Sequence, residues 1–134
     1  MNSNRGFLWV VQNNDKTDYV KCSIDLCKSI KNKCSINQVA VVTDKKTKIP
    51  ADIFDKVIVL EHDDSEHIEW KLNNEYKVFE LSPFTHTIKL EADMLFTKNV
   101  DWWWNYLTQH NMVFSFHSRD YQDNIVKDSP YRKI

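Results

Sequence analysis

Apolar positions along the chain fall into short blocks separated by polar turns, and the block lengths alternate between strand-like and helix-like. Phe7-Leu8-Trp9-Val10-Val11 is an unbroken apolar run closed by Gln12 to Asp15, the pattern of a strand covered on both faces. From Asp18 to Lys31, Tyr19, Cys22, Leu26, Cys27 and Ile30 recur at three- and four-residue intervals, which predicts a helix with Asp18 as its N-cap. Val39 to Val42 and Val57 to Leu60 are further β-rich runs, closed by Thr43-Asp44 and by Glu61 to Ser65. Leu72, Tyr76 and Phe79 stand at helical spacing between Ile68 and Leu81, and Pro83 stops any extension. Thr87 to Leu90 reads as a fourth strand, Asp101 as the cap of a helix through Trp102-Trp103-Trp104 to Leu107, and Met112 to Phe116 as a last strand.

Strands separated by crossover segments predict an α/β domain with a mostly parallel sheet flanked by helices. The 134 residues suit a single domain over the whole chain, with the tail from about 117 to 134 poorly specified. Apolar residues at 42% and charged residues at 28% are those of a folding chain rather than a disordered one.

Charge and composition narrow the chemistry. The net charge of -1 is spread along the chain, so polynucleotide binding is disfavoured. No apolar stretch is long enough to span a bilayer and no signal core opens the chain, so a cytoplasmic protein is expected. Cys22, Cys27 and Cys34 lack zinc-site spacing and are expected as reduced thiols. Gly6 is the single glycine, which excludes the Walker loop and the glycine-rich dinucleotide turn.

In open α/β sheets, ligands bind outside the carboxyl ends of the strands. The polar groups expected there are Gln12 to Asp15, Thr43-Asp44, Glu61 to Asp64 and Glu91-Ala92-Asp93. On an extended chain, Glu91 and Asp93 would share one face roughly 6–7 Å apart. A Mg²⁺ or Mn²⁺ ion takes one or two carboxylates and completes its shell with water and phosphate oxygens. An acidic strand end is otherwise an ordinary solvated turn, so the pair by itself is a weak signal.

The run from Thr87 to Trp103, with Leu90-Glu91-Ala92-Asp93-Met94 followed by Asp101-Trp102-Trp103, resembles the D-x-D segment of nucleotide-sugar glycosyltransferases of the A-type (GT-A) fold, especially family 8-like and phage-encoded members. The stretch Tyr76 to Phe84 is similar to the helix that precedes that segment, and the first strand, polar turn and Tyr19 to the family's uridine-binding start. The resemblance covers about residues 6 to 133, with 76 to 104 the specific part. It implies a Rossmann-like GT-A fold and a metal-dependent transferase of a sugar from a nucleoside diphosphate, UDP-linked, to an unspecified acceptor, in the cytoplasm of the host if the chain is phage-encoded. It further implies Asp93 and Glu91 as ligands of Mn²⁺ or Mg²⁺. Val11, Gln12, Asn13, Tyr19, Asp44, Lys77 and Ala92 would form the donor site, with no catalytic base assigned.

Two departures accompany the resemblance. Glu91 stands where Asp is usual, which makes Asp93 the safer ligand. Family members continue beyond a segment like Asp128 to Lys133 into an acceptor-binding half that supplies a histidine ligand. The chain is therefore expected to be the donor-binding part, working with a second half or as a homo-oligomer. A non-catalytic or split nucleotide-sugar-binding module is the alternative. A glycoside hydrolase built on Glu91 and Asp93 is weaker, because residues two apart on one strand flank a bond poorly, and a phospho-receiver domain fits the flanks badly. Trp102 to Trp104 are expected to divide between core and surface; His86, His110 and His117 show no ligand spacing with one another, and His62 and His67 stand near an acidic loop.

Overall fold

A computed structural model describes residues 5–114, 119 and 122–124. The chain separates into two compact units, Met1–Trp103 and Trp104–Ile134. The first holds a sheet of four strands: β1 (Arg5–Val10), β2 (Val39–Thr43), β3 (Lys56–Val59) and β4 (His86–Lys89). Helix α1 spans Tyr19–Lys33, and a 3₁₀ turn, Glu75–Lys77, runs into the short α2, Val78–Leu81.

All strand pairs are parallel, in the order β3-β2-β1-β4. The α/β class expected from alternating blocks is therefore observed. Phe7 faces Val39 on one side and Ile88 on the other, and Leu8 lies between Ala40 and Lys89. Both sides of β1 are paired, so its backbone is satisfied within the sheet, and its side chains from Phe7 to Val11 are almost wholly buried. That is why the run is apolar without alternation.

The faces of the sheet carry different covers. On one, Leu8, Val10, Ala40 and Val42 cluster with Leu60 and Val78, and Ile58, Leu81 and Phe84 pack at the margin. On the other, α1 buries Val20, Leu26, Cys27 and Ile30, and the Trp9 indole N–H donates to the Ser23 hydroxyl at 3.0 Å. Phe96 and Phe54 close that face edge-on against Phe7 and Trp9, at 5.4 and 6.1 Å between ring centroids. Helix α1 begins where predicted: the Asp18 carboxylate accepts from the Lys21 amide at 3.1 Å, satisfying a first-turn N–H that has no partner inside the helix. All three cysteines are free thiols, and burial pushes those of Cys27 and Cys34 up.

Three expected elements differ. The helical spacing between Ile68 and Leu81 yields only turns, the 3₁₀ segment and α2. Leu72, Tyr76 and Phe79 are 60, 63 and 75% exposed, whereas Val78 is buried. Asn73 and Asn74 break the pattern: the Asn73 amide donates to the Ser65 hydroxyl, and the Asn74 side chain bonds to three other residues. Such side-chain pairing competes with a helical ladder.

The second difference is at Asp101, whose carboxylate accepts from the Ser35 and Ile36 amides at 3.1 and 3.2 Å. It thus braces the loop after α1, and α3 spans Trp103–Leu107, beginning one residue later than expected. Trp102 is exposed, Trp103 half-buried and Trp104 buried, the divided packing expected of consecutive helix positions. Third, Met112 to Phe114 form no strand, and the remainder of that expected strand, with the tail expected to be poorly specified, lies largely outside the described residues. Among the described residues, no helix is long and apolar enough to cross a membrane.

Candidate functional site

The strand order reverses between β1 and β4: the chain steps outward from β1 to β2 to β3, then crosses to the opposite side of β1. Loops leaving the carboxyl ends of β1 and β4 diverge there, which opens a crevice in sheets of this kind. The polar clusters predicted for the strand ends do collect along this edge, but most serve one another first.

At the end of β1, Gln12 is buried and lies between two partners. Its amide N–H donates to Asp44 Oδ2 at 2.9 Å, and its carbonyl accepts from Asn74 Nδ2 at 2.9 Å. Asn74, also buried, donates to Asp63 Oδ1 at 2.8 Å and accepts from the Asp64 amide at 3.0 Å. Asp44 accepts from the Lys46 and Thr47 amides at 2.8 and 2.6 Å and from the Thr47 hydroxyl at 3.1 Å. The loops after β1, β2 and β3 are thus joined side chain to side chain through Gln12 and Asn74.

Electrostatics follow from this network. Burial would raise the Asp63 carboxyl, but hydrogen bonds from Asn74 and the Ser65 amide, with the nearby Gln12 amide and Lys71 charge, outweigh it and hold the group below its ordinary range. Asp64 is also lowered, by hydrogen bonds from the Tyr76 hydroxyl and Lys77. Lys46 and Glu66 form an ion pair at 2.9 Å, which lowers the glutamate and raises the lysine.

Beside the network, a cleft of about 420 Å³ is lined by Asn13, Asn14, Asp15, Asp44, Lys46, Thr47, Lys48, Asp63, Glu66 and Lys71. It lies over β1, β2 and β3, whereas the topological crevice lies between β1 and β4. Strands are spaced about 4.8 Å apart, so the ends of β2 and β4 are roughly 10 Å from one another across β1.

The remaining predicted residues divide by role. The Val11 amide is bonded to the Val42 carbonyl at 2.7 Å, so it serves the sheet. Asn13 Oδ1 accepts from the Val20 amide at 3.1 Å, a second cap on α1, and its own amide donates to Thr47 Oγ1 at 3.2 Å. Tyr19 is the half-buried first residue of α1. The Lys77 ammonium lies 2.7 Å from the His62 carbonyl and 3.2 Å from Asp64 Oδ2, and 17% of its side chain is exposed. It ties the loop after β3 to the 3₁₀ turn.

Glu91 and Asp93 are both exposed and flank buried Ala92. They do not continue an extended strand. Pairing with β1 runs out once the Leu90 amide meets the Leu8 carbonyl at 2.9 Å, and the chain then turns, with the Met94 amide 3.3 Å from the Glu91 carbonyl. Glu91 is ion-paired with Lys89, which also lies 2.7 Å from Glu75 Oε2. Burial pushes the Glu75 carboxyl up, and Lys89 offsets only part of this.

Among the described residues, no group of three or more histidine, cysteine, aspartate or glutamate side chains gathers as a metal cage. A hydrated Mg²⁺ or Mn²⁺ ion needs as few as two protein carboxylates, with water and phosphate oxygens completing its shell, and Glu91 and Asp93 are two exposed carboxylates on one turn.

No protein-family profile matches the chain, and no curated protein matches it in sequence. Function is therefore argued from the edge itself. Asn74, Thr47 and the cleft lysines were not singled out in the sequence. The one available signal was the Asn73-Asn74 pair inside a helix-spaced run, where asparagine is a poor helix former and a good loop clasp.

Proposed function

We propose that this chain is the donor-binding part of a metal-dependent glycosyltransferase with a Rossmann-like GT-A fold, taking a nucleoside diphosphate sugar, UDP-linked. The observation that carries the reading is the β3-β2-β1-β4 parallel order with its reversal at β1 and β4. It gathers the polar cleft and the Glu91-Asp93 turn on one edge of one sheet. Supporting it, the resemblance noted in the sequence falls on the segment that forms β4 and this turn.

In this reading the nucleoside occupies the cleft beside Asn13, Thr47 and Lys71, and the diphosphate crosses the end of β1 toward Asp93. A divalent ion, when bound, neutralises charge on the departing diphosphate. Asp93 and Glu91 would hold it. The Gln12-Asn74 clasp keeps the loops in place, so little ordering accompanies binding.

One observation favours the alternative of a non-catalytic or split binding module. Asp44 and Asp63 accept hydrogen bonds from neighbouring loop groups and have a structural use already.

Calorimetric titration with UDP, GDP and ADP, each with and without Mn²⁺, tests the proposal. The expected result is Mn²⁺-dependent UDP binding that is lost in Asp93→Ala. Unchanged binding by that variant overturns the assigned site, and absence of binding to any nucleotide overturns the donor reading. Donor hydrolysis or transfer by the isolated chain eliminates the module alternative.

A further inference from the structure

We infer that Lys89 sets the cation affinity of the Glu91-Asp93 turn: it holds the Glu91 carboxylate in an ion pair that an incoming divalent cation has to open, and Glu75 then keeps the released ammonium. The inference rests on the reading of residues 91–93 as a cation site.

Strand geometry brings the three groups together. Lys89 is paired with Leu8 in the β1–β4 register, so it shares the sheet face of Leu8, which is the face covered by α2. Glu91 follows two residues later and bonds the same ammonium that Glu75 approaches from the 3₁₀ turn. Lys89 is thus positioned between two carboxylates from different segments.

The two arms are unequal. Glu75 and Lys89 have 24 and 31% of their side chains exposed, whereas Glu91 has 53%. Glu75 Oε2 is buried and has no hydrogen bond of good geometry, so the Lys89 ammonium at 2.7 Å is the charge that compensates it. Separating Lys89 from Glu75 would strand a buried carboxylate, which is costly. The Glu91 arm opens into water, where an ion pair contributes little. A divalent cation at the turn therefore competes with the weaker arm, while the stronger one keeps Lys89 in place. With Asp93 included, the carboxylates outnumber the single lysine, so an excess of negative charge remains for the cation.

A different role for Lys89, as a strut for the 3₁₀ turn alone, would leave cation affinity indifferent to it. The test uses Mn²⁺ alone, titrated into the full chain and followed by the electron paramagnetic resonance signal of free Mn²⁺. In Lys89→Met combined with Glu75→Gln, which avoids a stranded carboxylate, Mn²⁺ binding is expected to tighten about fivefold. Adding Glu91→Gln is expected to cancel the gain.

Glu75→Gln alone leaves Lys89 wholly to Glu91 and is expected to weaken Mn²⁺ binding about twofold or more, a sign opposite to that of the combined variant. Unchanged or weaker binding by the folded combined variant overturns the inference. So does a gain that survives Glu91→Gln, or unchanged or tighter binding in Glu75→Gln. UDP affinity measured on the same samples separates the two claims: UDP binding that ignores Mn²⁺ defeats the donor reading, while the Mn²⁺ titrations still decide the role of Lys89.

Discussion

Gln12 and Asn74, 62 residues apart in sequence, join their buried side-chain amides at 2.9 Å. Gln12 follows the end of β1 and Asn74 precedes the 3₁₀ turn, so one hydrogen bond couples the loop after the central strand to the segment that covers the sheet. Asn74→Ala leaves the Gln12 carbonyl, an Asp63 oxygen and the Asp64 amide each short of a partner. A destabilisation of about 2–3 kcal/mol is expected, read as a lower urea midpoint at unchanged m-value. Asn74→Ala matching the wild type would show that water replaces the clasp.

The carboxylates of this network make stability depend on pH. The folded-state pKa of Asp63 lies below its ordinary value of 3.8, so the unfolded chain binds its proton more readily. That contribution is complete well above the ordinary value and is lost as pH falls through the lower folded value. Denaturant midpoints are expected to be level near neutrality and to fall below about pH 4. Asp63→Asn should lower the neutral midpoint and flatten the acid limb; an unchanged acid limb would assign the pH dependence to other groups.

Gly6 has a packing role. A Cβ at this position would lie 2.3–2.5 Å from three ring carbons of Phe84, which lies against the backbone of β1. Gly6→Ala therefore overpacks the sheet margin and is expected to cost about 1–3 kcal/mol. Phe84→Leu combined with it should recover part of the loss, and the double-mutant cycle measures the coupling. Simple additivity would mean that the ring moves aside without strain.

Lys77 distinguishes scaffold from donor contact. Its ammonium holds the His62 carbonyl and Asp64, so Lys77→Met is expected to lower stability in the absence of nucleotide. The expected loss is modest because Asp64 is 43% exposed. A melting temperature equal to the wild type, with weakened UDP binding, would assign the lysine to the donor instead.

Local pattern settled a good part of this protein. The apolar run from Phe7, the three- and four-residue spacing of α1 and its Asp18 cap, and the β-rich blocks at 39–42 and 87–90 each depend on neighbours in the chain, and each element lies close to its expected position. Parallel pairing followed from the connections between them. Tertiary structure alone decided the order β3-β2-β1-β4 and with it which polar loops meet. It also decided that Asn74 is buried while Leu72, Tyr76 and Phe79 face outward, reversing the stripe that helical spacing implied. The reason is physical. Periodicity reports which residues share a face only once the period is known, and the period near Asn74 was set by distant partners in the loops after β1 and β3. The same holds at Glu91: its charge was evident in the sequence, but its pairing with Lys89, and through Lys89 with Glu75, required the strand to place them together.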